Sequence, residues 1–172
     1  PMQPPDTLPD TPPVTIRPAA PADMPAVGKL GALLMRIHYD FDPQRFIEPP
    51  PGAERGYGSF LKSQLKEQDV IVLVAERGGK VLGYAYAAVE GWDYMALRGP
   101  AGVLHDLVVD PDERGQGIGQ LLLDAALEAL AARGVPRVVL STANENEAAQ
   151  RLFARAGFRR TMIEMTREMD DR

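Results

Sequence analysis

Cysteine is absent from this 172-residue chain, and tryptophan and histidine are scarce, with one and two residues respectively. Without thiols the protein forms no disulfide, no thiolate metal site and no acyl-cysteine intermediate. No apolar run approaches the roughly 18 residues that mark a transmembrane helix, so the sequence predicts no membrane span. We also predict that the site holds no metal.

Basic residues are in slight deficit. The chain has 19 lysines and arginines against 24 aspartates and glutamates, a net charge of −5, which argues against a nucleic-acid partner. The N-terminus lacks the basic region and apolar core of a secretory signal, so we expect a cytoplasmic protein. Its hydrophobic content of 45% suffices for one domain with a sizeable core.

The first residues differ in composition from the rest. Residues 1–13 contain six prolines and show no apolar periodicity. Such a segment buries too little surface to offset the entropy of ordering it, and it predicts a disordered tail. The predicted domain spans residues 14–172.

The most informative segment is a glycine-rich turn between an apolar strand and an amphipathic helix. Gly115, Gly117 and Gly119 leave backbone N–H groups free to surround an anion, and the helix that follows adds its positive end. Arg114 contributes a fixed positive charge beside the turn. This arrangement predicts a binding site for a phosphate-bearing ligand.

The glycine spacing narrows the type of phosphate site. A dinucleotide fingerprint requires glycine at relative positions 1, 3 and 6, but the sixth position is Gln120 or Leu122, depending on the starting glycine. A P-loop requires Gly-Lys-Ser/Thr, which does not follow. The remaining pattern is Arg-x-x-Gly-x-Gly, formed by Arg114, Gly117 and Gly119.

Hydrophobic periodicity predicts an α/β domain of alternating helices and strands. The second, third and fourth strands are expected to be antiparallel neighbours, and the fourth and fifth a parallel pair joined by the helix after the glycine turn. In chain order, the predicted elements are a strand at 14–17, helices at about 23–39 and 53–67, strands at 70–75, 81–90 and 104–109, a helix at 117–133, a strand at 138–140, a helix from Asn144 or Asn146 to Gly157, and a strand at 158–169.

Two motifs resemble those of one family. The strand followed by Arg114-x-x-Gly117-x-Gly119 is similar to the pyrophosphate-binding motif of the GCN5-related N-acetyltransferases (GNAT family). A second block, Asn146-x-x-Ala149-x-x-Leu152-Phe153-x-x-x-Gly157-Phe158, is similar to another motif of this family. The order of elements matches as well. The resemblance implies a mixed, mostly antiparallel sheet of six to seven strands flanked by about four helices.

The resemblance also implies that acetyl-CoA is the cofactor. The fourth strand is expected to bind the pantetheine arm through its main chain, and the glycine turn to bind the pyrophosphate. Asn144 and Asn146 are interpreted either as contacts to the cofactor arm or as helix caps. The implied cofactor-binding residues are Leu107, Val108, Val109, Arg114, Gly115, Gln116, Gly117, Ile118, Gly119, Gln120, Asn144, Asn146 and Phe153.

Acetyl transfer to an amine requires a base, because an alkylamine with a pKa near ~10.4 is mostly charged at neutral pH. The candidates are Glu90, His105 and Asp106. Because side chains alternate along a strand, at most one of residues 105 and 106 is expected to face the substrate. Phe153 stands where many relatives have a tyrosine that protonates the leaving thiolate, so the acid is expected to be water or another tyrosine (Tyr84, Tyr86 or Tyr94).

The acceptor site implied by the resemblance contains His38, Tyr39, Trp92 and Tyr94, with acidic neighbours suited to a cationic amine. The predicted function is transfer of the acetyl group of acetyl-CoA to a primary amine of a small molecule or peptide, by direct attack in a ternary complex. One alternative is a catalytically weak acyl-CoA-binding sensor or regulatory module. Another is a protein that binds a different phosphate ligand. A homodimer is implied by resemblance alone.

Overall fold

The computed structural model describes residues 11–169. The predicted tail at 1–13 therefore lies almost wholly outside the described residues, and the domain boundary stays a prediction. None of the helices in the described part of the chain combines the length and apolarity needed to cross a membrane.

One five-stranded sheet organises the fold, with its strands in chain order across the sheet. The first four strands are antiparallel neighbours, and the last two are parallel, which confirms the predicted pairing. The strands are β1 (Thr15–Pro18), β2 (Val70–Arg77), β3 (Lys80–Glu90), β4 (Ala101–Val109) and β5 (Val138–Leu140).

Four helices cover the two faces of the sheet, as predicted in number. They are α1 (Met24–Phe41), α2 (Ala53–Gln64), α3 (Ile118–Ala131) and α4 (Glu147–Arg155). The first two pack on one face, against Val74, Tyr84 and Val108. The other two pack on the opposite face, where Leu122 and Phe153 belong to the same buried cluster. Side chains alternate between the two faces along β2–β4, and because helices cover both faces the sheet is buried on each side in a separate core.

Close packing of α1 against α2 depends on glycine. A Cβ at Gly28 would clash with the carbonyl oxygen of Glu54, and a Cβ at Gly31 would overlap the ring of Tyr57. The absence of these side chains lets the two helices approach closely. As a consequence Tyr57 is held against the sheet, where its hydroxyl reaches β4.

The prediction of a last strand at 158–169 is wrong, and within residues 11–169 the sheet has five strands rather than six to seven. Residues 158–169 form no strand. Phe158 packs edge-on against Phe153, Arg160 donates to Gln150, and Glu164 pairs with Arg45 in the loop after α1. These contacts hold the segment beside α4 and the α1–α2 loop instead of on the edge of β5.

Candidate active site

A cavity of about 290 Å³ opens where β4 and β5 separate. It is bounded by α1 and the loop that follows, by β4, by the end of β5, and by α4. Most of its lining side chains are apolar, and the polar ones come from β4, α1 and the segment after β5. The lining residues are Leu34, Met35, His38, Phe46, Ile47, Leu104, His105, Asp106, Leu107, Leu140, Ser141, Thr142, Asn146, Ala149 and Phe153.

The cavity exists because β5 is short. It pairs with β4 only from Gly102 to Leu104, so the edge of β4 from His105 to Val109 has no strand beside it within residues 11–169. Unpaired main-chain groups at such an edge are available to an extended ligand. Leu107 lines the cavity directly, whereas the side chain of Val108 is buried against α1 and α2.

A β-bulge in β4 overturns the expectation that residues 105 and 106 face opposite sides of the sheet. Tyr86 pairs with Asp106 and Ala87 pairs with Leu104, so His105 is the extra residue. A bulge interrupts the alternation of side chains and re-aims the inserted one. His105 and Asp106 therefore both line the same cavity.

Asp106 is buried and is held by two phenols. Its Oδ2 atom accepts hydrogen bonds from the hydroxyls of Tyr57 at 2.6 Å and Tyr84 at 2.8 Å. Burial, and then the negative charge of Asp106, raise the pKa of both tyrosines. Both phenols therefore remain protonated donors, and neither hydroxyl is available to a leaving thiolate.

His105 forms a second polar pair at the cavity. Its Nε2 atom lies 2.6 Å from Oε1 of Glu90, and its ring stacks on Tyr86 with centroids 5.0 Å apart. The second oxygen of Glu90 accepts from Arg98 at 3.2 Å. The carboxylate thus fixes the proton on Nε2 and leaves the lone pair on Nδ1.

The predicted phosphate-binding turn has the required geometry. Gly115 and Gly117 adopt positive φ angles of 79° and 77°, and Gly117 is the N-cap of α3. Within residues 11–169, none of the backbone N–H groups from Gly115 to Gln120, which include those of Gln116, Ile118 and Gly119, meets an acceptor. Arg114 is exposed beside them. Six consecutive donors at a helix N-terminus are suited to bind an anion.

A salt bridge braces this turn from the β2–β3 hairpin. Arg77 donates to Glu113 at 2.9 Å and to Gln116 at 2.6 Å, and Gln116 donates to Glu113 at 3.1 Å. The side chain of Gln116 is therefore engaged away from the backbone donors. The turn is held in shape by contacts that leave its main chain free.

The two asparagines after β5 differ in position. Asn146 caps α4 by accepting from the N–H of Ala149 at 3.2 Å, and it also lines the cavity. Asn144 is exposed and does not line the cavity. Phe153 is 9% exposed and belongs to the core, with one part of its side chain at the cavity wall.

Only one of the four predicted acceptor residues lies at the cavity. His38 lines it, between Phe41 and Phe46, with Nδ1 donating to the carbonyl of Leu34 at 2.8 Å. Tyr39 lies elsewhere on α1, beneath the guanidinium of Arg36. Trp92 and Tyr94 stack on each other in the exposed β3–β4 loop and do not line the cavity. Their role in acceptor binding stays a prediction.

Several residues at the site carry no signal in the sequence. Tyr57 reads as one apolar position of an amphipathic helix, and its contact with Asp106 joins residues 49 positions apart. The β4 bulge likewise has no recognisable pattern in the sequence. Ser141 and Thr142 also line the cavity, and their position directly after the predicted fifth strand is a signal by which the sequence could have identified them.

Part of the chain is similar in sequence to known acetyltransferases. The mycothiol acetyltransferase of Thermobispora bispora is 38% identical over 96 residues, which are 54% of this chain and 31% of that protein. The chain spans less than a third of the length of several such curated relatives. The similarity therefore concerns one part of those proteins.

Solved structures share the fold. A Bacillus halodurans protein superposes with a TM-score of 0.78 at 23% identity, covering 90% of this chain and 99% of that one. A GCN5-related N-acetyltransferase from Ralstonia eutropha JMP134 has a TM-score of 0.69 at 26% identity, covering 91% and 98%. The profile of the acetyltransferase (GNAT) family matches residues 33–158. The chain thus belongs to the GNAT family, as its two motifs predict.

Proposed function

We propose that this chain is an acetyl-CoA-dependent N-acetyltransferase that modifies a primary amine of a small molecule or peptide by direct attack in a ternary complex. One observation carries the proposal. The anion-binding turn of α3 adjoins the unpaired edge of β4, and that edge leads into a cavity lined by His105 and Asp106. The turn thus matches the diphosphate, the edge of β4 matches the extended arm, and the cavity matches the reacting group.

The residues present fit coenzyme A. The backbone donors of Gly115–Gln120 and the positive end of α3 suit its diphosphate, with Arg114 as an added charge. The main chain of Leu107–Val109 suits a pantetheine arm that adds to the sheet like a strand. Asn146 and Phe153 lie where that arm would enter the cavity.

His105 is the base that this geometry favours. Imidazole exchanges protons near neutral pH, and Glu90 orients the ring so that Nδ1 receives the proton. Glu90 is not a cavity-lining residue, so it acts through His105 as a positioning residue. Of the three candidate bases predicted from sequence, Glu90 and His105 therefore form one hydrogen-bonded pair.

Every proton in the acetyl transfer can be accounted for without a tyrosine as the general acid. His105 takes one proton from the ammonium group, and the neutral amine attacks the thioester carbon as the C–S bond breaks. The thiolate then receives the second amine proton by way of water. A thiol with a pKa near ~8.5 leaves as the anion at pH 7 at a cost of about 2 kcal/mol, which an enzyme without a dedicated acid tolerates. Phe153 is consistent with this route.

The reaction is tested in two steps. Titration calorimetry with CoA measures binding, and thiol release from acetyl-CoA is followed with polyamines, aminoglycosides, amino sugars, free amino acids and a lysine peptide. We expect micromolar CoA binding and release with at least one small-molecule amine. Binding without release on any acceptor favours the sensor alternative. Stabilisation by nucleotides but not by CoA refutes the assignment.

We further propose a homodimer and a cytoplasmic location. The outer edge of β5 has no strand partner in the part of the chain described, and Met162, Ile163 and Met165 are 75%, 84% and 89% exposed. Contact with a second copy through this edge and these side chains would cover both. Light scattering is expected to give a dimer for the wild type and a monomer when Met162 and Met165 are both changed to glutamate.

A further inference from the structure

We infer that Asp106, held by Tyr57 and Tyr84, is the anionic subsite that binds the ammonium group of the acceptor. This inference rests on the proposed function. It assigns a role to a buried carboxylate that proton transfer through His105 does not use. It also defines the chemical class of the acceptor as an alkylammonium ion.

The first support is the charge of the cavity. Among its fifteen lining residues Asp106 is the sole carboxylate, and none is a lysine or arginine. Most of the others are apolar. A single negative charge in an apolar cavity attracts a cation strongly, because little water screens the interaction. The cavity therefore selects for cationic over neutral and anionic groups.

The second support is the set of hydrogen bonds that the Asp106 carboxylate makes. Oδ2 accepts from both phenols, whereas Oδ1 has no hydrogen-bond partner among residues 11–169 and is not a buried atom. Asp106 makes no ion pair in this region, and its partners are neutral. Asp106 is 9% exposed, so burial removes most of the water around its carboxylate, and no cation compensates for this loss. A bound ammonium group would offset the desolvation cost.

The elements around Asp106 supply no lysine or arginine as a counter-ion among residues 11–169. The titratable groups at the cavity or in contact with Asp106 are His38 of α1, Tyr57 of α2, Tyr84 and Tyr86 of β3, and His105 beside it on β4. None of these groups carries a permanent positive charge.

The position of Asp106 connects binding to reaction. It is the residue next to His105, and the bulge presents both side chains to one cavity. An ammonium group bound at Oδ1 thus lies beside the base that takes its proton. Acceptors with a carboxylate next to the amine are repelled, so amines on a neutral alkyl or sugar carbon are preferred over free amino acids.

Butylammonium chloride tests the subsite without any turnover, with butan-1-ol as the neutral probe. Backbone ¹⁵N–¹H chemical shifts of Leu104–Leu107 are followed in the wild type, Tyr57→Phe, Asp106→Asn and the exposed control Asp69→Asn. We expect butylammonium binding to weaken about tenfold or more in Asp106→Asn, to be retained in Tyr57→Phe, which keeps the carboxylate, and to stay unchanged in the control. Butan-1-ol should bind all four proteins alike.

Equal butylammonium affinity in the wild type and Asp106→Asn overturns the inference, as does a wild type that binds both probes equally. If Asp106→Asn fails to fold, the two probes on the wild type and on Tyr57→Phe still decide, because both proteins keep the carboxylate and should both prefer butylammonium to butan-1-ol. Butylammonium binding without thiol release from acetyl-CoA on any acceptor of the panel would overturn the proposed function while leaving the subsite in place.

Discussion

Glu90 joins His105 to Arg98 through its two carboxylate oxygens. Oε1 lies 2.6 Å from Nε2 of His105, and Oε2 lies 3.2 Å from Nη2 of Arg98. Glu90 is the last residue of β3 and Arg98 lies in the loop before β4, so the pair closes this end of the hairpin around the histidine. The imidazole is oriented from one side by a carboxylate and from its face by Tyr86.

Replacement of this base should slow transfer strongly. We expect His105→Gln to lower kcat/KM by about 10²-fold, because general-base assistance is typically worth 10²–10⁴-fold. Glu90→Gln should cause a smaller loss, because it removes the carboxylate that orients the imidazole. Thiol release from acetyl-CoA between pH 5 and 10 checks both. The exposed Glu67→Gln should match the wild type, and an unchanged rate in His105→Gln would assign the base elsewhere.

Loss of the brace from Arg77 should weaken cofactor binding. Arg77 holds Glu113 and Gln116 through two hydrogen bonds, so the glycine turn is already ordered before the diphosphate arrives. Without this contact, ordering the turn costs part of the binding energy. We expect Arg77→Met to raise the Kd for CoA by about tenfold, measured by calorimetry, and to raise KM for acetyl-CoA with kcat nearly unchanged.

The exposed Arg133→Met is the matched control for the Arg77 variant, because it removes the same charge from the far end of α3. It should bind CoA like the wild type. If Arg77→Met lowers the melting temperature but leaves the Kd for CoA unchanged, the brace stabilises the fold without preparing the turn.

Reversing the charge of residue 114 should change the affinity for CoA through electrostatics alone. Arg114 is exposed and makes no ion pair among residues 11–169, so its replacement leaves the fold intact. We expect Arg114→Glu to raise the Kd for CoA by more than tenfold at low salt, and Arg114→Gln by less. Salt screens exposed charges, so the difference between the two variants should shrink in 0.5 M NaCl. Equal affinities at every salt concentration would place the diphosphate away from Arg114.

Local signals predicted most of the fold and the conformation of the glycine turn. Gly115 and Gly117 read as a phosphate-binding turn because positive φ and free N–H groups are local properties that the residue type reveals. The bulge at His105 and the reach of Tyr57 to Asp106 depend on register and helix packing across the fold. Segment 158–169 looks like a strand because apolar and polar residues partly alternate along it, but its contacts with Phe153, Gln150 and Arg45 hold it away from the outer edge of β5.

The pair formed by Arg17 and Asp23 predicts how stability depends on pH. Both oxygens of Asp23 accept from the Arg17 guanidinium, at 2.7 and 2.9 Å, and Asp23 is 8% exposed. The hydrogen bonds from Arg17 hold the pKa of Asp23 below its ordinary value despite burial. A depressed pKa in the folded state stabilises the fold above the unfolded pKa of ~3.9, and this contribution is lost as the pH falls through the lower, folded value.

Removal of the guanidinium should therefore destabilise the protein at neutral pH and much less in acid. In Arg17→Met, the buried carboxylate keeps only the N–H of Ala20 as a donor. We expect a loss of about 1–3 kcal/mol in the free energy of unfolding at pH 7, measured by urea denaturation. As the pH falls through the folded pKa, Asp23 becomes protonated in both proteins and the difference should narrow. A deficit of the same size at pH 7 and below that pKa would show that the methylene packing of Arg17, rather than its charge, stabilises the start of α1.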